Sequence, residues 1–399
     1  MKVGIYFSGS LQDSGGGYTY EQEILGSLLH LAHTSGHSYV IFSPADISDI
    51  LIKSSLKNIS SIRLSKNSFF AKILEHLYFS VNFPFFNILY FKFLPIQTEI
   101  RKNNIDFMVF LQWKHGIVDI PSITPVWDLQ HRLQPWFPEV SGKGEWDNRE
   151  KYYQKVLGRS SIILTGTSAG QEEVSQFYNI PKDRIKVLPL PTPSDALANQ
   201  KEKNRETIKK FPIAGDYLLY PAQFWPHKNH VACIKALNIL HHHYHQRVSL
   251  VFVGSDKKNL PYIRDYARCQ NVSEYIHFLG FIPREDLMTL YQNAFALVFP
   301  TFFGPDNIPP LEAFALRCPV IASKVNGADE QLGDAALLFD PQNPREIAEF
   351  VNSLYTDPAL RIELIEKGLI RAKQWTSDDY VRKIFSLLDE FENIRKCWE

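Results

Sequence analysis

Residues 299–341, FPTFFGPDNIPPLEAFALRCPVIASKVNGADEQLGDAALLFDP, alternate between short apolar runs and polar loops. The run Ala296–Phe299, which leads into this stretch, is apolar throughout and predicts a buried strand. Gly304–Asn307 forms a polar loop, and Asn307 is suited to cap a helix, because its side-chain oxygen can accept from the free amides of a first turn. Pro319–Ala322 predicts the next buried strand. The loop therefore joins the carboxyl end of a strand to a helix start, where open α/β sheets bind ligands.

The same helix start predicts a site for an anion. Its unpaired amides and the helix dipole favour negative charge. Pro309 and Pro310 fit the first turn, where the helical ladder needs no amide. Glu312 lies just inside the helix, where a carboxylate could accept a hydrogen bond from a ribose hydroxyl. The alternative interpretation is an ordinary strand–helix–strand unit of a protein core.

This stretch resembles the donor-site signature of glycosyltransferase family 4, which comprises retaining enzymes of the GT-B fold. The matching residues are Pro309–Ala313 (PPLEA) and Cys318–Ser323. The signature has two glutamates separated by seven residues, and the resemblance implies that Glu312, the second, binds the nucleotide ribose. The first falls on Gly304, so that carboxylate is missing, and Asp306 is a candidate to replace it. The donor-binding residues implied here are Asp306, Asn307, Ile308, Pro309 and Glu312.

Arg317 occupies a position where the family usually has a helix-ending glycine. A left-handed backbone there costs a residue with a Cβ roughly 1 kcal/mol relative to glycine.

Bulk properties place the chain among globular proteins. Its 399 residues suggest two domains, and 45% are hydrophobic. The formal net charge of +0 gives no general attraction to nucleic acid, so no nucleic-acid partner is expected. Four cysteines without CxxC spacing argue against a zinc site and fit a reducing compartment. With neither a signal-peptide pattern nor an apolar run of about 20 residues, we expect a cytoplasmic protein.

The first half begins with a strand, a glycine loop and a helix. Lys2–Phe7 predicts the strand, and Ser14–Tyr18 (SGGGY) follows it. Glycines allow a backbone to approach a ligand closely. In the family the equivalent loop faces the donor's phosphates and sugar, so the resemblance makes Gly16 and Gly17 candidate donor-binding residues. An ordinary tight turn is the alternative.

A second candidate loop follows the predicted strand that ends near Val126. Family members often carry His-Asp-Leu here, with the histidine near the reacting sugar. This chain has Trp127 in the histidine position and keeps Asp128-Leu129. The resemblance makes Asp128 and the offset His131 candidate catalytic residues. The alternative is a loop that an aspartate side chain stabilises by a hydrogen bond.

Residues 69–94, FFAKILEHLYFSVNFPFFNILYFKFL, are dense in aromatic side chains. One interpretation is an amphipathic surface that rests on the inner face of a membrane or holds a lipid-linked acceptor. The other is a pair of helices whose aromatic residues belong to the core.

The second half opens after a polar segment, Asp195–Lys210, which we interpret as the linker between domains. A strand from Tyr217 leads into a loop containing Lys228. The family places an arginine and a lysine against the donor diphosphate in this loop. Lys228 matches the lysine and is a candidate catalytic and donor-binding residue, whereas Gln223 replaces the arginine. The histidines at 241, 242, 243 and 245 do not predict a metal site, because adjacent helical residues do not share a face. We expect a solvated helix end there.

We therefore expect an α/β protein of the GT-B class, with two doubly wound Rossmann-like domains facing a central cleft. The predicted boundaries are 1–192 for an acceptor-side domain, 193–377 for a donor domain, and 378–399 for a helix that packs back on the first. The predicted function is retaining transfer of a hexosyl unit from a GDP- or UDP-sugar to a glycan or lipid-linked acceptor, in cell-surface polysaccharide synthesis. No metal or cofactor is expected. The alternatives are a sugar-nucleotide epimerase of the same fold and a non-catalytic partner subunit, which the altered positions 304, 223 and 127 favour.

Overall fold

The computed structural model describes residues 1–9, 15–47, 58–65, 69–80, 84–199 and 208–398, and the chain divides into two compact units. Unit 1 comprises Met1–Trp136, Val140–Pro189 and Ser377–Glu399, and unit 2 comprises Phe137–Glu139 and Leu190–Thr376. Each unit is built on one parallel sheet with helices between the strands. The predicted class, α/β with two doubly wound domains, is confirmed.

The sheet of unit 1 has seven strands in the order β3-β2-β1-β4-β5-β6-β7. Their bounds are β1 Lys2–Tyr6, β2 Ser38–Ser43, β3 Ile59–Arg63, β4 Phe107–Phe110, β5 Ser122–Val126, β6 Ile162–Thr165 and β7 Ile185–Val187. The order reverses between β1 and β4, which is the point where ligands bind in such sheets. Strand β3, with the sequence ISSIR, was not predicted, because only its two isoleucines are apolar.

The sheet of unit 2 has six strands in the order β10-β9-β8-β11-β12-β13. Their bounds are β8 Tyr217–Pro221, β9 Ser249–Val253, β10 Ile276–Phe278, β11 Ala296–Phe299, β12 Val320–Ser323 and β13 Ala336–Phe339. Strands β8, β11 and β12 were predicted to within a few residues, because strands covered on both faces have continuous apolar sequences. The order reverses between β8 and β11, so the loops after these two strands meet at the binding edge.

The helices connect the strands and cover the sheets. In unit 1 they are Gly16–Leu31, Phe69–Ser80, Pro84–Phe93, Pro95–Lys102, Gln130–Leu133, Glu145–Leu157, Ser168–Tyr178 and Ser377–Arg395. In unit 2 they are Ser194–Ala198, His230–His242, Leu260–Cys269, Arg284–Asn293, Ile308–Ala315, Ala328–Leu332, Pro344–Thr356 and Pro358–Lys373. The short helix Pro138–Ser141 lies where the chain passes between the units.

The helix Ser377–Arg395 packs against the helix Gly16–Leu31 inside unit 1. The hydroxyls of Tyr20 and Tyr380 lie 2.8 Å apart in the buried contact. Phe391 packs edge-on against Phe107 of β4, with ring centroids 4.7 Å apart. The last helix is therefore part of the core of unit 1.

The aromatic stretch 69–94 contains two helices, Phe69–Ser80 and Pro84–Phe93, which have both buried and exposed aromatic side chains. Tyr78 and Tyr90 are buried and stack with ring centroids 4.1 Å apart. Phe69, Phe85 and Ile88 are exposed, Ile88 by 65%. One side of the pair therefore belongs to the core, and several large apolar side chains face solvent.

Candidate functional site

The binding edge of unit 2 is formed by the loops that follow β8 and β11. The first contains the turn Pro226–Lys228, and the second runs from Thr301 to Asn307 and ends at the helix Ile308–Ala315. The predicted residues Lys228, Asp306, Asn307, Ile308, Pro309 and Glu312 all belong to these loops or to that helix. The structure therefore places them at one edge of one sheet.

The turn that carries Lys228 is held to its surroundings from both sides. Asn229 adopts a left-handed backbone with φ of 54°, and its side-chain amide donates to the carbonyls of Pro300 at 3.1 Å and Pro341 at 2.9 Å. The Tyr220 hydroxyl donates to the Lys228 carbonyl at 2.6 Å. These contacts fix the backbone of the turn relative to the strand ends.

The Lys228 side chain is partly exposed, and its ammonium nitrogen lies 5.3 Å from the ring centroid of Phe299. Gln223, in the position where the family usually has an arginine, accepts a hydrogen bond from the Trp225 indole at 2.9 Å. Lys228 therefore brings a cation to the loop after β8, whereas Gln223 is engaged with a neighbouring side chain.

The loop after β11 is closed by its own residues. Asn307 occupies the helix N-cap position as predicted, but its side chain makes no capping hydrogen bond and donates instead to the Gly304 carbonyl at 2.5 Å. Gly304 has φ of +113°, and a Cβ added there would lie 2.8 Å from the Asn307 side-chain oxygen. A glutamate at position 304 would therefore strain this backbone and displace the Asn307 side chain.

Asp306, the proposed replacement for the missing carboxylate, is already engaged. Its Oδ2 accepts from the Leu190 amide and its Oδ1 from the Gln331 side chain, both at 2.5 Å. Burial of the carboxyl raises the pKa of Asp306 to about 7, although these two hydrogen bonds oppose the rise. The side chain ties the loop to the first residues of the main segment of unit 2.

Ile308 and Pro309 begin the helix, with Ile308 buried and Pro309 partly exposed. Their predicted contact with the donor stays a prediction.

Glu312 lies in a buried network of charged and polar groups. The residue is 3% exposed, its Oε1 pairs with Arg284, and its Oε2 accepts from the Tyr291 hydroxyl at 2.8 Å. Arg284 also binds both oxygens of Asp195, at 2.7 and 2.8 Å. Burial alone would lower the pKa of Arg284, but the charges of Glu312 and Asp195 outweigh it and raise the pKa.

This network has two consequences for the predictions. Each oxygen of Glu312 already has a partner inside the protein, so a ribose would have to share or replace one. Asp195 and the helix Ser194–Ala198 belong to the folded body of unit 2 and not to a linker.

A carboxylate that the sequence did not indicate also reaches this edge. Glu139 belongs to the segment Phe137–Glu139 of unit 2, and its Oε1 accepts from the His227 backbone amide at 2.9 Å and lies 2.5 Å from His227 Nδ1. The His227 ring stacks on Phe303, with centroids 3.9 Å apart and planes 11° from parallel. The local pattern PWFPE does not indicate this role, because His227 and Phe303 lie about 90 and 165 residues further along the chain.

The predicted catalytic residues of unit 1 form a structural cluster. His131 is 0% exposed, and its Nε2 lies 3.3 Å from both Glu150 and the Tyr178 hydroxyl. Burial lowers the pKa of His131, and the charge of Arg149 adds to this effect. The His131 ring is thus engaged with side chains inside unit 1, and its catalytic role stays a prediction.

Asp128 stabilises its own loop. Its Oδ1 accepts from the Gln130 amide and from Arg149, each at 3.0 Å. The first of these hydrogen bonds is the aspartate turn that the sequence left as an alternative. The side chain keeps 26% exposure, and its catalytic role stays a prediction.

The glycine loop of unit 1 packs against the residue that replaces the family histidine. Gly16 is exposed and Gly17 is partly buried at the start of the first helix. A Cβ added at Gly17 would lie 3.0 Å from the Trp127 indole, and Gln112 donates to the Gly17 carbonyl at 3.2 Å. A residue larger than glycine at position 17 would therefore crowd Trp127. A donor contact for Gly16 and Gly17 stays a prediction.

Unit 1 has a cavity of about 640 Å³ at the carboxyl ends of β1, β3 and β4. Its charged lining residues include Lys72, Lys114 and Lys151 with Glu75, and its aromatic lining residues include Phe79 and Tyr152. Three lysines against one glutamate make it suitable for an anionic ligand with an apolar part.

Within the described residues, one group of side chains could hold a metal ion: His37, Asp389 and Glu392 of unit 1. Glu392 already accepts from the amino group of Met1 at 3.0 Å, so this group serves the packing of the last helix. In the histidine run, the His241 ring donates to the Val248 carbonyl at 2.8 Å, and the helix ends at His242 as predicted. Across the ranges that the structure covers, no helix is both long and apolar enough to span a bilayer.

Comparisons with known proteins relate the chain to glycosyltransferases. Residues 201–371 match the family model described as Glycosyl transferases group 1. The O-antigen chain mannosyltransferase B of Escherichia coli is 28% identical over 240 residues, which are 60% of this chain and 63% of that protein. The serotype-specific mannosyltransferase WbdA of Escherichia coli is 25% identical over 268 residues, which are 65% of this chain and 33% of that protein. The chain thus covers less than two thirds of the length of either relative.

Two solved structures share the fold over nearly the whole chain. Sucrose-phosphate synthase from Thermosynechococcus elongatus superposes with a TM-score of 0.72 at 15% identity, covering 99% of this chain and 100% of that one. HepE from Anabaena, in complex with UDP-glucose, superposes with a TM-score of 0.68 at 13% identity, covering 98% and 100%. The predicted fold, GT-B, is confirmed, and residues 201–371 match the Glycosyl transferases group 1 model.

Proposed function

We propose that this protein is a retaining hexosyltransferase that moves a hexosyl unit from a nucleotide-diphosphate sugar to a glycan or lipid-linked acceptor in cell-surface polysaccharide synthesis. The family match and the mannosyltransferase relatives support the enzyme class. The observation that carries the proposal is the edge of unit 2 between β8 and β11, where Lys228 and the start of the helix Ile308–Ala315 both lie within the matched segment.

The reaction needs stabilisation of a leaving diphosphate. The bond between the sugar's anomeric carbon and the diphosphate oxygen breaks, and its electron pair stays on that oxygen. The acceptor hydroxyl oxygen bonds to the anomeric carbon, and its proton leaves with the released nucleotide. In this protein, Lys228 supplies positive charge for the diphosphate, and the start of the helix Ile308–Ala315 adds the Ile308 amide and the helix dipole, because Pro309 and Pro310 have no amide and the Asn307 amide donates to Gln331. Turnover is expected to persist in EDTA.

Among donors, GDP-mannose is the first to test, because both relatives are named mannosyltransferases. UDP-glucose is the second, because HepE was solved with it. The relatives' names also support an acceptor that is a growing cell-surface glycan. The lysine-lined cavity of unit 1 suits an acceptor that carries a phosphate next to an apolar chain, which fits a lipid-linked glycan at the inner face of the membrane.

A donor panel tests the proposal. Calorimetry with GDP-mannose, UDP-glucose, GDP and UDP should show binding of one nucleotide and its sugar, and donor consumption should require an added acceptor. Consumption without an acceptor would favour the epimerase. Binding without consumption across a glycan and lipid-diphosphate acceptor panel would favour the non-catalytic partner subunit, which the closed loop at Gly304 and the paired Glu312 also favour. Absence of binding to every member of the panel contradicts the proposal.

A further inference from the structure

The two oxygens of the Glu139 carboxylate differ in their hydrogen bonds: one has two partners, and the other has none among the described residues. Its side chain is 7% exposed. Oε1 takes both contacts with His227, one to the backbone amide and one to the ring. Oε2 is buried, and no hydrogen-bond donor reaches it from any residue of the described ranges.

An unpaired, buried carboxylate oxygen is costly, because it has lost its water without gaining a partner. Protonation does not relieve this cost. Burial alone would raise the pKa of Glu139, but the hydrogen bonds from His227 outweigh it and lower the pKa below its ordinary value. Glu139 therefore stays ionised at neutral pH, and Oε2 lacks a hydrogen-bond donor among the described residues.

The position of Glu139 ties it to both loops of the binding edge. His227 precedes Lys228, and its carbonyl accepts from the Phe302 amide at 2.8 Å. Its ring stacks on Phe303, which precedes Gly304. Phe137 packs against Phe302 and Phe303, with centroids 5.4 and 5.6 Å away, so the segment Phe137–Glu139 is anchored on this edge.

The other carboxylates near the edge do not share this property. Both oxygens of Asp306 accept hydrogen bonds, from Leu190 and Gln331. Both oxygens of Glu312 have partners, Arg284 and Tyr291. Of these three carboxylates, Glu139 alone retains an oxygen to which no described residue donates a hydrogen bond.

We propose that Oε2 of Glu139 accepts a hydrogen bond from a hydroxyl of the sugar carried by the nucleotide donor. This inference rests on the proposed function. A carboxylate repels a diphosphate, so the group it binds must be a neutral donor, and a sugar offers hydroxyls for this purpose. The diphosphate is left to Lys228, the next residue after Glu139's own partner. Glu139 thus contacts the sugar, and Lys228 stabilises the negative charge of the diphosphate that leaves with the nucleotide.

Glu139→Gln tests this assignment, because it keeps the shape and one oxygen for His227 but replaces the free acceptor with an amide. The four probes are GDP, GDP-mannose, UDP and UDP-glucose, measured by calorimetry. We expect affinity for the bound nucleotide sugar to fall about tenfold or more, as for a lost hydrogen bond to a charged group. Affinity for the corresponding nucleoside diphosphate should change less than about threefold, because it carries no sugar.

The matched control is Glu349→Gln, which removes the same charge from an exposed site on another helix of unit 2. It should leave all four affinities unchanged. Thermal melting identifies a folding defect, and Glu139→Asp provides a second variant that keeps the charge but shortens its reach.

The outcomes distinguish a failure of the proposed function from a failure of this inference alone. If the wild-type protein binds none of the four probes, the proposed function fails, and this inference fails with it. If it binds a nucleotide sugar and Glu139→Gln binds it equally well, a buried water satisfies Oε2 and only the inference is overturned. Equal losses for the nucleotide and its sugar also overturn it, because they show that Glu139 only positions the Lys228 turn.

Discussion

Arg284 pairs with Glu312 in the interior of unit 2, and the Tyr291 hydroxyl holds the other oxygen of the same carboxylate at 2.8 Å. The charge of Glu312 therefore serves the fold as well as any ligand. We expect Glu312→Gln to lower the free energy of unfolding by about 2 kcal/mol, the range for hydrogen bonds to charged groups. Urea denaturation measures it, with Tyr291→Phe as the companion variant at about 1 kcal/mol. An unchanged midpoint for Glu312→Gln would show that the pair contributes nothing.

The ribose prediction for Glu312 is tested separately. Donor affinity of Glu312→Gln, measured well below its melting temperature, should fall about tenfold or more if a ribose hydroxyl shares the carboxylate. Equal affinity of variant and wild type would leave Glu312 with its structural role alone.

Lys228→Ala should lower turnover by on the order of 100-fold or more, by analogy with the loss of one donor that acts in the transition state. Negative charge grows on the diphosphate as the bond to the sugar breaks, so the loss should affect turnover more than binding. Lys228→Arg should recover only part, because the two cations differ in shape and reach. Lys257→Ala, another loop lysine of unit 2, is the control. A folded Lys228→Ala variant with turnover within a few-fold of wild type places the diphosphate elsewhere.

Arg317→Gly should stabilise the protein by about 1 kcal/mol. Arg317 has φ of +61°, the left-handed conformation expected from its position after the helix Ile308–Ala315, and glycine adopts it without a steric penalty. Arg317→Ala is the matched control, because alanine keeps the Cβ and should gain little. Thermal and urea unfolding measure the difference. If both variants change stability equally, the arginine side chain matters more than the backbone.

Asp306→Asn should change how stability depends on pH. The folded-state pKa of about 7 lies above the ordinary value of 3.8, so the folded protein holds a proton that the unfolded chain has released. Between pH 4 and 7 this linkage makes the wild type less stable as the pH rises, and above pH 7 the effect is constant. We expect the wild type to be about 3 kcal/mol more stable, relative to the variant, at pH 5 than at pH 8. Parallel pH profiles for both proteins would show that Asp306 titrates normally.

The exposed apolar side chains of the two aromatic helices predict binding to membranes. The wild-type protein should co-sediment with anionic vesicles, and Phe85→Ser/Ile88→Ser should reduce the bound fraction several-fold, because both side chains are exposed and apolar. The control is Ile362→Ser/Ile370→Ser, which removes two equally exposed isoleucines from unit 2. Wild-type protein that stays in the supernatant would contradict a membrane role.

The sequence predicted the sheet of unit 2 closely because its strands are apolar on both faces and its turns carry glycine, proline and asparagine. The family's helix-ending glycine also indicated a left-handed backbone at Arg317, and the sequence put Lys228 in the loop after the first strand of unit 2. These are local properties, which depend on a few neighbouring residues. Strand β3 was missed because its polar residues carry little periodic signal.

The partners of charged side chains were not predictable in the same way. Asp195 was assigned to a linker, although Arg284, 89 residues further on, binds both its oxygens. Glu139 was not singled out, because its role depends on His227, which lies 88 residues away. His131 looked accessible from its loop position, but the side chains of Glu150, Tyr153 and Tyr178 enclose it. Such pairings arise from tertiary packing, which a motif does not encode.

The last helix of unit 1 constrains the order in which a growing chain can mature. Ser377–Arg395 supplies contacts to β4 and to the first helix, so these surfaces stay uncovered until that helix has been made. The main segment of unit 2, Leu190–Thr376, is made earlier and can complete its sheet first. We therefore expect the first-synthesised half to be the last to become protease-resistant on the ribosome, the reverse of the usual order from the amino terminus.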